Sequence, residues 1–292
     1  MSNAPDTAVD IELPASTEDG ADLGEGSVFF VGTATVVLRY GGFTVLTDPN
    51  FLHAGDHVHL GYGLTAERRT DPALDVEDLP PVDLVLLSHY HGDHFDRIAA
   101  AKLDRDLPIV TTHHAARKLA EKGFRETHPL ETWEAATIRK GDVDLTVTAM
   151  PGKHAPGGLA AAMPPVMGSM LEFDRDGEHL VRVYVTGDTL VHDELERIPR
   201  EYPDIDLALP HLGGTKAFGV LLTMDAEQGV EAVELFDADT SIPIHYDNYD
   251  AFRSPLSEFR EAVARIGLGD RVAYVERGDT YRFAVPAVRR GT

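Results

Sequence analysis

Short apolar runs broken by polar and glycine-rich positions recur along most of the chain, at strand spacing more often than helix spacing. The early runs SVFFV (27–31), TVVLRY (35–40) and FTVLTD (43–48) predict three strands, with GG at 41–42 as a hairpin turn. VDLVLLS (82–88) is continuously apolar, the pattern of a strand buried on both faces. Between them, Pro49 to Pro81 predicts a long loop, a feature usually kept for function. HFDRIAAAKLD then reads as a helix, LPIVTT as a strand, and HHAARKLAEKG as a helix stopped by its glycine.

A second batch of strands follows: ATIRKG, VDLTVTAM, SMLEFD, HLVRVYVTGD, DIDLALP and TSIPIH. Helical spacing appears near 224–236 and 255–266, and RVAYVERGDTYRFAV predicts a closing hairpin. Two batches of strands, each closed by helices, predict an α/β sandwich of four layers. Residues 1–26 break the pattern. They carry seven acids (Asp6, Asp10, Glu12, Glu18, Asp19, Asp22, Glu25) among Ser, Ala, Pro and Gly, and read as a solvated, mobile arm. The expectation is therefore an arm over 1–26 and one domain over 27–292.

Composition narrows the chemistry. The chain has no cysteine, so any metal must sit on nitrogen and oxygen donors. Its formal net charge of −23 disfavours nucleic-acid partners. No apolar run is long enough to span a membrane, and the start lacks the marks of a secretory signal, so a cytoplasmic location is expected. Self-association is left open.

Acids and histidines stand where apolar strands end. Asp48 ends the third strand; His89, His91, Asp93 and His94 follow the fourth; His154 lies in MPGKHAPGG; Asp188 ends VRVYVTGD; His245 ends TSIPIH. A rigid sheet can hold such side chains convergent. His89 and His91, two apart on an extended segment, can chelate one ion, and Asp93 and His94 on the next turn can serve a second. A carboxylate such as Asp188 can bridge two ions. Two cations roughly 3.5–4 Å apart share a water and lower its pKa toward neutrality. Imidazole and carboxylate suit Zn²⁺ best and also admit Mn²⁺ or Fe²⁺.

The order His-x-His-x-Asp-His, with TDP before it and GKH, GDT and IPIHY after it, resembles the metallo-β-lactamase superfamily over about residues 27–285. The segments TATVVLRYGGFTVLTDPNF and MDAEQGVEAVELFDADTSIPIHYDNY resemble the ascorbate-6-phosphate lactonase-like and N-acyl-phosphatidylethanolamine phospholipase D branch. The resemblance implies an αββα sandwich and two divalent ions. It implies that His89, His91 and His154 hold one ion and Asp93, His94 and His245 the other. Asp188 then bridges them, and Asp48 orients a ligand histidine. Asp188 also stands where a cysteine-ligated β-lactamase would need a thiolate.

Other readings compete at single positions. His113 and His114 rival His154, but they open a helix where capping or exposure accounts for them. His53, His57 and His59 suit either a substrate entrance or a polar loop. His211, in LALPHLGGTK, is a candidate catalytic proton donor beside Asp93 and Asp188, against a structural hydrogen-bonded role. Segment 156–170 is apolar enough to wall the site, and Lys153, Lys216 and Arg182 are candidate phosphate contacts.

The function expected is hydrolysis of a small-molecule substrate, a metal-bridging hydroxide attacking a lactone or other small carboxylic ester. Phosphodiester cleavage on the same fold is the alternative. From another class come a mononuclear iron oxygenase and a non-catalytic metal-binding module. A serine nucleophile at Ser88 lacks the G-x-S-x-G elbow.

Overall fold

The structure, a computed structural model of the 292-residue chain, describes residues 7–14, 22–60, 65–157, 163–217 and 219–285. In chain order the first part comprises β1 (Thr7–Leu13), β2 (Glu25–Gly32), β3 (Thr35–Tyr40), β4 (Phe43–Thr47), β5 (His57–His59) and β6 (Thr65–Glu67). Next come β7 (Leu84–Leu87), α1 (Arg97–Lys102), β8 (Ile109–Thr111), α2 (His113–Glu121) and β9 (Thr127–Pro129). The second part opens with β10 (Ala135–Lys140), β11 (Val143–Pro151), β12 (Met167–Arg175), β13 (Glu178–Val185), α3 (Ile198–Glu201) and β14 (Leu207–Leu209). It closes with β15 (Lys216–Ala217), β16 (Val220–Leu221), α4 (Ala226–Phe236), β17 (Thr240–Ser241), α5 (Leu256–Ile266) and β18 (Thr280–Ala284).

Two seven-stranded sheets carry the fold, ordered β1-β10-β11-β12-β13-β14-β17 and β18-β2-β3-β4-β7-β8-β9. The continuously apolar β7 shows why they stack. Leu84 and Leu86 face the core between the sheets, while Val85 and Leu87 face a second core against the helices. Successive side chains of a strand point to opposite faces, so a strand covered on both sides must be apolar throughout. Ala115 and Leu119 of α2 and Ala99 of α1 complete that outer core. On the other side, α4 and α5 bring Val230, Phe236, Phe259 and Val263 into the main core. The four layers expected from the sequence are present.

Several expectations fail. Thr7–Leu13, expected inside a mobile arm, forms edge strand β1, parallel to β10. Val9, Ile11 and Leu13 alternate with acids and pack onto the main core, a strand signal hidden by the acidic composition. The rest of that arm lies partly outside the described residues. The loop 49–81 contains a small hairpin, β5 against β6. The closing hairpin does not form: only Thr280–Ala284 is a strand, and it pairs antiparallel with β2. Val272 makes an isolated bridge to Ser241 instead. Among the described residues no helix is long and apolar enough to cross a membrane.

Candidate metal centre

Asp48, His89, His91, Asp93, His94, His154, Asp188, His211 and His245 lie just beyond the ends of β4, β7, β11, β13, β14 and β17. The structure brings all of them together. They are buried, and His91, the most open, is 8% exposed. Two tight positions make the convergence possible. Gly187 turns with φ 64°, and a Cβ there would lie 2.7 Å from the Met167 carbonyl oxygen and 3.1 Å from Ser88 Cβ, so only glycine lets Asp188 approach. His245 itself holds φ 63°, a strained value for a non-glycine residue.

The first group is His89, His91 and His154. Ser88 Oγ donates its one hydrogen to Asp48 Oδ1 at 2.9 Å, so its contact with His89 Nδ1 at 3.0 Å requires Nδ1–H to donate. The lone pair of His89 is therefore on Nε2, which lies 2.9 Å from His91 Nδ1. His154 Nδ1 donates to the Leu222 carbonyl at 2.9 Å, leaving Nε2 as its lone-pair atom.

The second group is Asp93, His94, Asp188 and His245. His94 Nδ1 faces Asp48 Oδ2 at 3.3 Å, and its Nε2 lies 3.1 Å from Asp188 Oδ2. His245 Nδ1 donates to the Leu212 carbonyl at 3.2 Å, and Nε2 lies 3.6 Å from Asp93 Oδ2. Asp48 belongs to a third set with His94 and His211. It also accepts from the Ser88 backbone N–H at 2.8 Å, so it locks the β7 end and His94 together. His211 Nδ1 meets Asp188 Oδ1 at 3.2 Å, and its ring stacks 5.5 Å from that of His245.

Burial and charge divide the imidazoles. Burial pushes His89 well below its usual 6.5, helped by charge on His94 and His91, and pushes His91 down to about 4. Burial lowers His154 and His211 as well, against Asp188. Burial also opposes charge on His94, but Asp188, Asp48 and Asp93 outweigh it and hold His94 well above 6.5. Burial would raise Asp93 and Asp188; the neighbouring His94 and His245 win and lower both, Asp188 strongly. Meanwhile Asp93 Oδ1, His91 Nε2 and His245 Nε2 are buried without a hydrogen-bond partner. Unpartnered buried polar atoms cost about 1–3 kcal/mol each, so several together fit a site built around cations.

A cavity of about 710 Å³ reaches His91 and Gly92. Leu52, Val58, Tyr90, Phe95 and Met163 to Pro165 supply an apolar lining, with His57, His59, Arg97, His114 and Lys118 on it. Met163 to Pro165 place part of segment 156–170 on that wall; 158–162 lie outside the described residues. Elsewhere the candidates separate. His113 is exposed and pairs with Glu131 at 3.3 Å, and His53 pairs with Asp75 at 3.1 Å. Arg182 pairs with Glu172 at 2.7 Å and Lys216 is exposed, so neither lies on this cavity. Lys153 is anchored by its backbone to Thr189 Oγ1. Sequence reasoning passed over Ser88 as an orienting group and Arg97 and Lys118 as cavity residues. Ser88 had a signal, adjacency to His89 at a strand end; the other two had none, because they lie on separate helices.

The family described as beta-lactamase superfamily domain matches residues 44–246. A metal-dependent hydrolase of Archaeoglobus fulgidus is 31% identical over 69% of this chain and 82% of its own length. One from Hyperthermus butylicus is 25% identical over 88% of this chain and its entire own length. Among solved structures, an isothiocyanate hydrolase from Delia radicum gut bacteria superposes with TM-score 0.73 at 21% identity, covering 88% of this chain and 99% of that one.

Proposed function

Because the chain belongs to the beta-lactamase superfamily and is a metal-dependent hydrolase, we propose that it cleaves a lactone or other small carboxylic ester at a centre of two divalent ions. The observation that carries this reading is the pair of adjoining buried donor groups, the first of which reaches an apolar cavity through His91. His89, His91 and His154 would hold one ion, and Asp93, His94 and His245 the other, with Asp188 between. The donor set is all imidazole and carboxylate, which suits Zn²⁺ and admits Mn²⁺ or Fe²⁺. Bound ions lower the pKa of a water toward neutrality and offset charge developing on the electrophile.

The chain's own backbone and side-chain groups do the rest. Leu222 and Leu212 carbonyls fix the tautomers of His154 and His245, and Asp48 fixes that of His94. His211, fully buried with its Nδ1 on Asp188 Oδ1, would hold Asp188 in place. The apolar wall excludes water from around an ester's carbon skeleton and leaves its carbonyl to face His91 and Gly92. Within the superfamily the lactonase-like branch remains the preferred kin.

Phosphodiester cleavage is the second reading, and one observation favours it: Arg97 and Lys118 sit on the cavity. A panel of lactones, simple esters, phosphodiesters and a cephalosporin, run with Zn²⁺- and Mn²⁺-loaded protein, separates the two. The expected result is turnover of at least one lactone or ester, abolished by chelation, with little cephalosporin cleavage. Phosphodiester turnover alone would sink the ester reading, and activity surviving complete chelation would sink the metal mechanism. One equivalent of iron with oxidative turnover would replace hydrolysis altogether.

A further inference from the structure

Arg68 heads the large side chains that are fully buried, yet its guanidinium is met by neutral oxygens. Nε donates to the Thr70 carbonyl at 2.8 Å, and Nη1 donates to Thr33 Oγ1 at 2.6 Å and to Asn50 Oδ1. The Tyr249 ring lies 5.2 Å from Cζ, and Nη2 has no hydrogen-bond partner. Burying a cation without a hydrogen-bonded counter-charge is expensive, and an apolar side chain of similar volume would fill the space at lower cost. Packing alone therefore does not account for an arginine here.

Its partners do. Thr33 accepts the backbone N–H of His245 on its carbonyl at 2.7 Å, and gives its own N–H to Asn248 Oδ1 at 2.6 Å. Asn50 donates from Nδ2 to the Gly92 carbonyl at 3.0 Å, the carbonyl of the peptide that leads into Asp93. Thr33 and His245 both hold positive φ, 55° and 63°, conformations that persist only when their surroundings over-determine them. One planar guanidinium thus grips Thr33, whose carbonyl holds the His245 backbone, and Asn50, whose amide holds the loop that carries Asp93 and His94.

We propose that Arg68 is a positioning residue that sets the Asp93–His94–His245 half of the centre and leaves the His89–His91–His154 half largely untouched. It touches no ligand side chain and acts through Thr33 and Asn50. Lysine does not replace it, since a single ammonium on a flexible stem cannot span Thr33 Oγ1, Asn50 Oδ1 and the Thr70 carbonyl together. The proposal rests on the two-ion reading above.

Cobalt tests it without substrate. Metal-stripped wild type, Arg68→Met, Arg68→Lys and Thr33→Val are titrated with Co²⁺ against a chromogenic chelator, following the visible ligand-field bands. His154→Ala, in which one step is weakened, assigns the steps. Wild type should bind in two steps. The Arg68 variants should lose about 10–100-fold in the affinity of the step that survives in His154→Ala, the size expected when an outer partner of a ligand is lost. The other step should stay within about threefold. Thr33→Val, which keeps the backbone and removes one hydroxyl, should weaken the same step less, and serves where an Arg68 variant fails to fold. A single step in wild type defeats the two-ion reading. Two steps in wild type that weaken equally in the variants, or not at all, overturn the role of Arg68.

Discussion

Replacing Gly92 with alanine probes the packing behind the site at one atom. Gly92 stands between His91 and Asp93, and a Cβ built there meets Val58 Cγ2 at 2.2 Å and the His59 carbonyl oxygen at 3.2 Å. Carbon atoms settle near 3.5–4.0 Å, so either Val58 or the loop must move by more than about 1 Å. Val58 is 5% exposed in a small core with Leu52, Leu60 and Tyr249, so moving its methyl disturbs that packing. Overpacking of this kind costs about 1–3 kcal/mol, and the stiffer unfolded chain returns only about 0.4–1. The net expectation is about 1–2 kcal/mol of destabilisation. Val58→Ala alone removes two carbons and costs about 1.6 kcal/mol at ~0.8 per group. It also removes the clashing Cγ2, so the double variant should be little worse than Val58→Ala, with a coupling of about 1–2 kcal/mol. Urea unfolding of all four members of the cycle reads this, and metal content reads the site: Gly92→Ala should lose metal and the double variant regain it. Additivity within about 0.5 kcal/mol, or a double variant still short of metal, would refute the packing argument.

Asp48→Asn should weaken metal binding about 10–100-fold, because it removes the carboxylate that fixes His94; unchanged affinity by chelator competition would show that Asp48 only caps the strand end. In metal-stripped protein, His91 has a folded pKa lowered from 6.5 to about 4, so its contribution is present above 6.5 and lost as pH falls toward 4. That loss is about 3 kcal/mol at ~1.36 per unit, and guanidinium midpoints that rise steadily from pH 7 to 4 would contradict it. His94, raised instead, contributes below 6.5 and loses that contribution as pH climbs through its folded pKa, so stability should also decline on the alkaline side. Deleting residues 1–14 should lower stability by about 3 kcal/mol, from roughly 1 for each of Val9, Ile11 and Leu13, read as a drop of several degrees in Tm. An unchanged Tm would mean that β1 adds nothing to the fold.

The site was legible because ligand-type residues are conspicuous at the ends of apolar strands. Asp48, the 89–94 run, Asp188 and His245 each follow a run whose period or continuity marks it as strand, so sequence alone located them. Their supports were not legible, because they depend on contacts far apart in sequence. Thr33 meets Asn248 across 215 positions and Tyr249 meets Asn50 across 199. Nothing in GLTAERRT distinguishes a buried arginine from a solvated one. TSIPIH illustrates a smaller error: the strand stops at Ser241, since Pro243 has no N–H to give a ladder, and His245 sits on an irregular, strained turn instead.

Charge on two length scales bears on the choice of substrate. The whole chain, at −23, repels anions, but screening confines exposed charges to about 8 Å at physiological salt, so the cavity's own residues decide. Both permanent cations there already have partners: Arg97 meets Asp56 at 2.6 Å, and Lys118 meets Glu121 at 3.1 Å. His114 is lowered by burial and by the charges of Arg117 and Lys118, which favours its neutral form at pH 7. Asp96 faces the same cavity, but its oxygens are taken by the backbone N–H groups of Phe51, Leu52, Ile98 and Ala99, so it neither attracts nor balances a ligand strongly. A phosphodiester would have to share the Arg97 or Lys118 cation with a carboxylate that already partly neutralises it. A neutral lactone or ester needs no counter-charge and gains the apolar wall, so the charge balance of the cavity supports the ester reading over the phosphodiester one.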